Sequence, residues 1–480
     1  MKLWIKTLLM LGSIILVTGA AVAAYTLTVL NSTTQAFKMT YTNAGSKQTE
    51  QVIKATKPLT ILVMGIDTGG AGRGTADSWN GNSDSQILIT LDPTKNTTTM
   101  VSVERDTMTN ILDGSGDIVS KQKLNAAYPL GYNAGGKTKG LETGVSYAMK
   151  TIGEQTGINI DNFITMNFDG LINLVNDVGG IDIVNDSNGV DAYQNTTKGQ
   201  KITLPTGETI DSGAIYISDT EPDYSAYIPY YSDNRVQHIN GEQALVFARD
   251  RHTLANGDYG RMAHQREVIS ALMKKLLALD NITQYQKLLT DASKDFKTNI
   301  PVNASTITAL LGYKDCFNKI VSIQYEGVGN MVDGVSYQFT PTNVYLAMQN
   351  AMKKSLEQST VTSLPESLIT YESTFGSYSS PQYYMPSATI TENGKSTVYG
   401  IDTEGNFITI NSSNSSQYVS TGGGSVQSDS SSSSSGTSSS SSTASSSSLD
   451  STTSDTNSGS GTSSNDSSSY GNNTGTYTGQ

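Results

Sequence analysis

One cysteine, Cys316, is all that the 480 residues contain. A lone thiol excludes an intrachain disulfide and any thiolate cluster around a metal. Basic charge is also in short supply. Against 43 acidic residues stand 31 lysines and arginines, a net charge of −12. That balance excludes a nucleic acid held by bulk electrostatics and leaves room only for a local cationic pocket. Arginine is scarcer still: Arg73, Arg105, Arg235, Arg249, Arg251, Arg261 and Arg266 are the whole set, and the last four fall in one short segment. No internal repeat is present.

What is present begins with an apolar N-terminus. Lys2 and Lys6 precede an uncharged stretch from Thr7 to Leu30, about the ~20 residues a helix needs to cross a bilayer. Positive residues ahead of it place the N-terminus in the cytoplasm and the remainder outside. A cleaved signal peptide is the competing reading, with small residues at Ala20-Ala21-Val22-Ala23-Ala24, but the apolar run continues past them and favours a retained anchor. The expected organisation is a cytoplasmic N-terminus and signal-anchor at 1–30, a polar stalk at 31–57, an extracytoplasmic domain at 58–357, a linker or small accessory segment at 358–411, and a Ser/Thr/Asn/Gly-rich tail at 412–480. Such a tail cannot bury enough apolar surface to fold and is expected to be a disordered tether.

Within the domain, Pro58 introduces a β-branched run from Leu59 to Gly65, a second from Ser85 to Leu91 is closed by Asp92-Pro93, and a third spans Thr98 to Val103. These predict buried strands. Helical spacing appears at Gly144 to Thr156, at Asp169 to Val178 before the stop Gly179-Gly180 and a short strand at Ile181 to Val184, at Gly241 to Phe247, at Gly260 to Leu279 and at Asn343 to Leu356. Residues 365–411 are tyrosine-rich with weak strand signals. The alternation predicts an α/β or α+β sandwich, a central mixed β-sheet flanked by helices.

Because lysine supplies the positive charge elsewhere, clustered arginine suggests a use for the planar fork that fits phosphate oxygens. Arg249 and Arg251 would point to one face if their segment were a strand. Arg261 and Gln265, four apart, would be neighbours near a helix N-terminus, where backbone donors also favour anions. Together they could clamp a diphosphate; the competing arrangement is solvated charges or salt bridges to Asp250 and Asp258. Asp67 follows the first strand and Asp84 precedes the second. If those strands are neighbours, both carboxylates converge at one sheet edge, as Mg²⁺ held against phosphate requires. A turn or cap is the ordinary role of a single Asp in such a place.

Eight segments occur in order: Gly65-Ile66-Asp67, Asn82-Ser83-Asp84-Ser85, Glu104-Arg105-Asp106-Thr107, Lys123-Leu124-Asn125-Ala126-Ala127-Tyr128, Asn167-Phe168-Asp169-Gly170, Val178-Gly179-Gly180-Ile181-Asp182, Ala248-Arg249-Asp250-Arg251, and Asp258-Tyr259-Gly260-Arg261 with Gln265. In that order they resemble the LytR-CpsA-Psr family, across roughly residues 58 to 270. The resemblance implies an enzyme of the outer membrane face that takes teichoic acid, capsule or a related polymer from undecaprenyl pyrophosphate and joins it to peptidoglycan through a phosphodiester. It implies that Arg105, Arg249, Arg251, Arg261 and Gln265 bind the pyrophosphate, and that Asp67 and Asp84 serve Mg²⁺, with Mn²⁺ as a substitute. It also implies a lipid tunnel between sheet and helices, to which Phe163, Phe168, Leu171, Ile172 and Val175 are assigned. Many members carry arginine where this chain has Asn82, and Arg73 in the preceding loop could substitute. Many also carry arginine where this chain has His264, which is expected at a surface position of the helix rather than as a general base.

The implied mechanism is attack by a peptidoglycan hydroxyl on the glycan-side phosphorus, with Asp67 or Asp84 as candidate base. Three alternatives remain at this point: a polyprenyl-pyrophosphate-binding regulator without turnover, a pyrophosphatase, and a surface protein whose serine-rich tail is the working part.

Overall fold

The computed structural model describes residues 56–68, 79–185, 235–250, 256–278, 295–301, 304–376 and 383–419, with short pieces between them. The expected anchor at 1–30 and nearly all of the stalk and tail lie outside the described residues, as do Arg73 and Arg251. Among the described residues, no helix is long and apolar enough to cross a membrane.

Nine strands form one mixed sheet: β1 (Leu59–Ile66), β2 (Ser83–Asp92), β3 (Thr97–Ser102), β4 (Asn162–Met166), β5 (Phe296–Thr298), β6 (Lys319–Gln324), β7 (Ser387–Glu392), β8 (Lys395–Ile401) and β9 (Phe407–Thr409). Their spatial order is β5-β4-β1-β2-β3-β6-β7-β8-β9. The β1–β4 and β3–β6 pairs are parallel and the others antiparallel. The helices are α1 (Ala127–Thr156, interrupted at Gly136 with φ 60°), α2 (Phe168–Asp177), α3 (Gly241–Arg249), α4 (Gly257–Leu277), α5 (Ala304–Leu311), α6 (Thr342–Ser355) and the short α7 (Tyr371–Phe375).

Strand alternation explains why the apolar runs are continuous rather than striped. On β1, Leu62, Met64 and Ile66 enter a core with α1 and α6 residues such as Val145, Ile152, Val344 and Met348, whereas Leu59, Ile61 and Val63 enter another with Ile269 of α4. A strand covered on both faces needs apolar residues at every position. The expected mixed sheet flanked by helices is what forms. Residues 387–409, whose strand signals were weak, supply three of its strands, and the described residues continue to Val419, which is 2% exposed and bonds to Met385.

α3 corrects a local expectation. Asn240 and Gln243 form a reciprocal capping box, and the helix runs from Gly241 through Arg249. Arg249 therefore occupies the last turn of a helix, where a cation is favoured by the helix dipole, rather than a strand facing the same way as Arg251.

Candidate functional site

The charged residues collect at one end of the central sheet. The β1–β2 register slips between Gly65, which pairs with Ser85, and Ile66, which pairs with Ser83, leaving Asp84 as the extra residue of a bulge. Bulges bend a strand and re-aim its side chains. Asp67, just past β1, donates its backbone N–H to the Asn82 carbonyl at 3.0 Å, so both acids stand at the same end of neighbouring strands. Gly81 makes that approach possible, since a Cβ there would lie 1.6 Å from the Asp67 carbonyl oxygen.

Arg105 stands in the turn after β3, ringed by three carboxylates: Nη1 is 3.5 Å from Asp84 Oδ1, Nε 3.4 Å from Asp106 Oδ2 and Nη2 3.9 Å from Asp258 Oδ1. Burial works against its charge, but Asp258, Asp84 and Asp106 more than offset that and hold its proton more firmly than usual. Asn125 donates to Asp84 Oδ1 at 3.0 Å, and Lys123 reaches Asp106 Oδ1 at 2.8 Å. From the first turns of α4, Arg261 Nη2 donates to Asp258 Oδ2 at 2.9 Å. Burial depresses the Arg261 pKa; Asp258 counters this and Arg105 adds repulsion. Salt bridges to Asp258 thus do form, yet neither guanidinium is solvated like a surface charge: the Arg261 side chain is 10% exposed and that of Arg105 22%. Arg105 Nε meets the Asp106 carboxylate only at 3.4 Å, and Arg261 Nε is buried with no hydrogen-bond partner among the described residues, which leaves donor capacity for an anion.

Gln265 accepts from Ser85 Oγ at 2.9 Å and donates to the Ala248 carbonyl at 3.1 Å, tying β2, α4 and the end of α3 together. Arg249, the next residue, is half-buried with its guanidinium carbon 5.1 Å from the Phe168 ring centroid. The structure therefore brings Asp67, Asp84, Arg105, Arg261 and Gln265 to one sheet end with Arg249 beside Gln265 through Ala248. Arg266 is elsewhere: it turns into the core and bonds Ser102, Ser322 and Gln324. His264 is not at the surface. It is 2% exposed, stacked on Phe247 with ring centroids 3.8 Å apart, because its side of α4 packs against α3.

Sequence reasoning gave Glu104 no role. Its side chain is buried and accepts from the Tyr259 hydroxyl at 2.8 Å, while its own N–H donates to the Tyr325 hydroxyl at 3.3 Å. Its place in the Glu104-Arg105-Asp106-Thr107 segment was the signal available.

An apolar cavity, part of it open to solvent, lies between the sheet and α4. Ile61 and Val63 of β1, Ile164 and Met166 of β4, Leu174 of α2, and Ile269, Leu272, Met273, Leu276 and Leu277 of α4 are among its walls. None of the five residues assigned to a lipid tunnel lines it. Phe163 lies on the other sheet face, since Ile164 and Met166 take the cavity side; Val175 is in the α2–α3 core and Phe168 is under Arg249. One stripe of α4 joins the two regions: Arg261, Gln265, Ile269, Leu272 and Leu276 follow at intervals of three or four residues, covering about 22 Å at 1.5 Å per residue.

The donor set suits a hard cation. Asp84 Oδ1 is taken by Asn125 and Arg105, leaving Oδ2, and no cluster of three metal-binding side chains exists among the described residues. A Mg²⁺ ion there would depend on one or two carboxylates plus substrate phosphates and water.

The comparisons agree with this architecture. The LytR_cpsA_psr family profile matches residues 26–354. Biofilm regulatory protein A of Streptococcus mutans is 36% identical over 383 residues, covering 78% of this chain and 83% of that protein. A protein of Enterococcus faecalis named polyisoprenyl-teichoic acid–peptidoglycan teichoic acid transferase TagU is 32% identical over 65% of this chain and 84% of its own. The crystal structure of protein gbs0355 from Streptococcus agalactiae superposes with a TM-score of 0.54 at 37% identity, covering 70% of this chain and all of that one. On the strength of the profile match and these relatives, this chain belongs to the LytR_cpsA_psr family.

Proposed function

We propose that this protein is a phosphotransferase that moves a glycopolymer, a teichoic acid, capsule or related polysaccharide, from undecaprenyl pyrophosphate to peptidoglycan through a phosphodiester. The observation that carries this reading is the α4 stripe, which passes from Arg261 and Gln265 to the wall of an apolar cavity. An anionic head and a long greasy tail on one molecule match that sequence of surfaces. The name of the Enterococcus relative supports the same substrate class. The protein works at the outer face of the cell membrane, held by an N-terminal helix with its start in the cytoplasm.

Arg105, Arg261 and Gln265, joined by Arg249, Arg251 and Arg73, bind the pyrophosphate. Charge-assisted hydrogen bonds of this kind contribute about 1.5 to 3 kcal/mol each. A sugar hydroxyl of peptidoglycan attacks the glycan-side phosphorus; a new P–O bond forms as the bond to undecaprenyl phosphate breaks. The hydroxyl proton passes to a carboxylate, with Asp67 and Asp84 the candidates. Asp67 and Asp84 would also hold Mg²⁺ or Mn²⁺, which would offset the charge a diphosphate brings to a site already holding Asp84, Asp106 and Asp258.

Incubating the full chain with a lipid-linked glycan and peptidoglycan decides the matter. Transfer should leave the glycan phosphate on peptidoglycan and release undecaprenyl phosphate. Release of the glycan phosphate into solution, with water in place of peptidoglycan as the acceptor, would mark a pyrophosphatase. Binding without turnover would favour the regulator, a reading that the name of the Streptococcus mutans relative keeps in view.

The cavity makes its own prediction. Met273 is half-buried in its wall, so Met273→Trp should fill space at about 1 to 3 kcal/mol or less of strain. Affinity for a long polyprenyl pyrophosphate should fall about tenfold or more, while affinity for inorganic pyrophosphate stays level. Equal losses for both, measured by calorimetric titration, would detach the cavity from lipid binding.

A further inference from the structure

Two chain segments bring cations to the site: the turn holding Arg105 and the first turns of α4 holding Arg261. They are joined at Glu104 and Tyr259, each one or two residues from an arginine. Tyr259 Oη donates to Glu104 Oε1 at 2.8 Å and accepts from the Gly327 N–H at 3.2 Å. Glu104 Oε2 is buried, with the Gly327 backbone as its nearby donor but no well-formed hydrogen bond among the described residues. Gly327 presses so near that a Cβ there would lie 3.0 Å from that oxygen. Among the described residues, the charges acting on the Glu104 carboxyl are negative, from Asp258 and Asp106.

We propose that Glu104 is a positioning residue that works as an uncharged acid: its buried bond with Tyr259 holds the Arg105 turn against the start of α4, so that Arg105 and Arg261 meet one diphosphate together. The proposal rests on the pyrophosphate reading above. A carboxylate that is buried, lies beside two other carboxylates and has no cation of its own among the described residues is stabler protonated. Burial is the main cause that pushes this carboxyl up to about 8, with the Tyr259 hydroxyl and the Gly327 N–H opposing and Asp258 and Asp106 adding to the rise. The groups facing it are Tyr259 and Asp258 from α4, Tyr325 beyond β6, Tyr345 from α6, and Asp106 on its own turn. None supplies a positive charge.

The sign of the pH dependence follows. The folded state holds this proton more tightly than the unfolded chain, so the contribution of the bond is complete below the ordinary value of 4.5 and fades as pH rises through about 8. Ionisation would set a buried negative charge beside Asp258 and Asp106 and loosen the junction on which both arginines depend.

The experiment titrates farnesyl pyrophosphate into the full chain in detergent from about pH 6.5 to about pH 9.5, for the natural protein and for Glu104→Gln, Glu104→Ala and Tyr259→Phe. The natural protein should lose about tenfold in affinity across that range relative to Glu104→Gln, which keeps an acceptor for Tyr259 without a titrating group. The comparison cancels any titration of the ligand. Glu104→Ala and Tyr259→Phe should bind about tenfold more weakly than Glu104→Gln at neutral pH. Identical pH profiles for the natural protein and Glu104→Gln, or full affinity in Tyr259→Phe, would overturn the proposal. Amide hydrogen exchange keeps it separate from the pyrophosphate reading: if no variant binds the probe at any pH, that reading fails. The junction is then judged by whether Tyr259→Phe speeds exchange at residues 104–107 and 257–261, and unchanged exchange there would sink it.

Discussion

Arg105→Ala is expected to weaken binding of a polyprenyl pyrophosphate by about a hundredfold or more, an effect of roughly 2.7 kcal/mol or above. Two losses act in the same direction. The substrate loses a guanidinium that stands within 4 Å of three carboxylates. Those carboxylates, on Asp84, Asp106 and Asp258, then confront the incoming phosphates without their shared counter-charge. Arg105→Lys should recover at most about tenfold, because an ammonium is a point charge and cannot address three acids and a diphosphate from one planar fork. Folding should suffer little. Asp84, Asp106 and Asp258 are each about a third exposed and can rehydrate, so the stability change should stay near ~1 kcal/mol. Calorimetric titration beside thermal melts separates the two quantities. A variant that binds within about threefold of the natural protein would remove Arg105 from the clamp.

The contrast with Arg261 shows where the charge is held most tightly. That side chain is 10% exposed and bonded to Asp258, three residues back on the same helix. Its removal would strand Asp258 in a drier place and disturb the start of α4. Binding and stability should therefore fall together there, whereas Arg105 separates them.

Much of the site could be read from the chain because arginine is rare in it, so each one draws attention. What could not be read was which arginine faces the ligand. Arg261 and Arg266 are five residues apart on α4, about 140° around the helix, and only the fold shows that Arg266 turns toward Ser102, Ser322 and Gln324. Glu104 escaped for the same reason: an acid beside an arginine looks solvated, but the tyrosines that enclose it lie 155 and 221 residues away. His264 was expected at the surface on residue type, and its stacking on Phe247 depends on how α3 meets α4. In the fold, β1 to β3 announced themselves because both faces are covered. β8 and β9 did not, since most of their residues are exposed or half-buried and the apolar pattern is diluted. The hairpin of Met108–Leu112 with Ile118–Lys123 was missed likewise, since its second strand buries no residue and leaves Ile118 and Val119 exposed beside Lys121.

Arg266→Ala should be among the most destabilising single changes in the domain, at about 3 to 5 kcal/mol. Arg266 is 3% exposed, and its guanidinium reaches Ser322 Oγ at 2.6 Å, Ser102 Oγ at 2.8 Å and Gln324 Oε1 at 2.6 Å, three neutral acceptors on β3 and β6. Burial alone pulls its pKa down to about 10, so it is still a cation at neutral pH, but one stabilised by dipoles rather than by an opposite charge. Alanine would leave those acceptors without donors and a void between sheet and helix. Arg266→Met keeps most of the volume and removes the buried charge; since no carboxylate is left unpaired, its cost should be about half that of alanine. Denaturant midpoints at constant m-value give both numbers. A loss under ~1 kcal/mol for alanine would mean that the site collapses without cost, against the close packing seen there. The same measurement bears on function, because Arg266 fixes α4 to the sheet one residue beyond Gln265. If the helix is the part that joins phosphate to lipid, Arg266→Met should weaken polyprenyl pyrophosphate binding under conditions where the protein remains folded, without Arg266 ever touching the ligand.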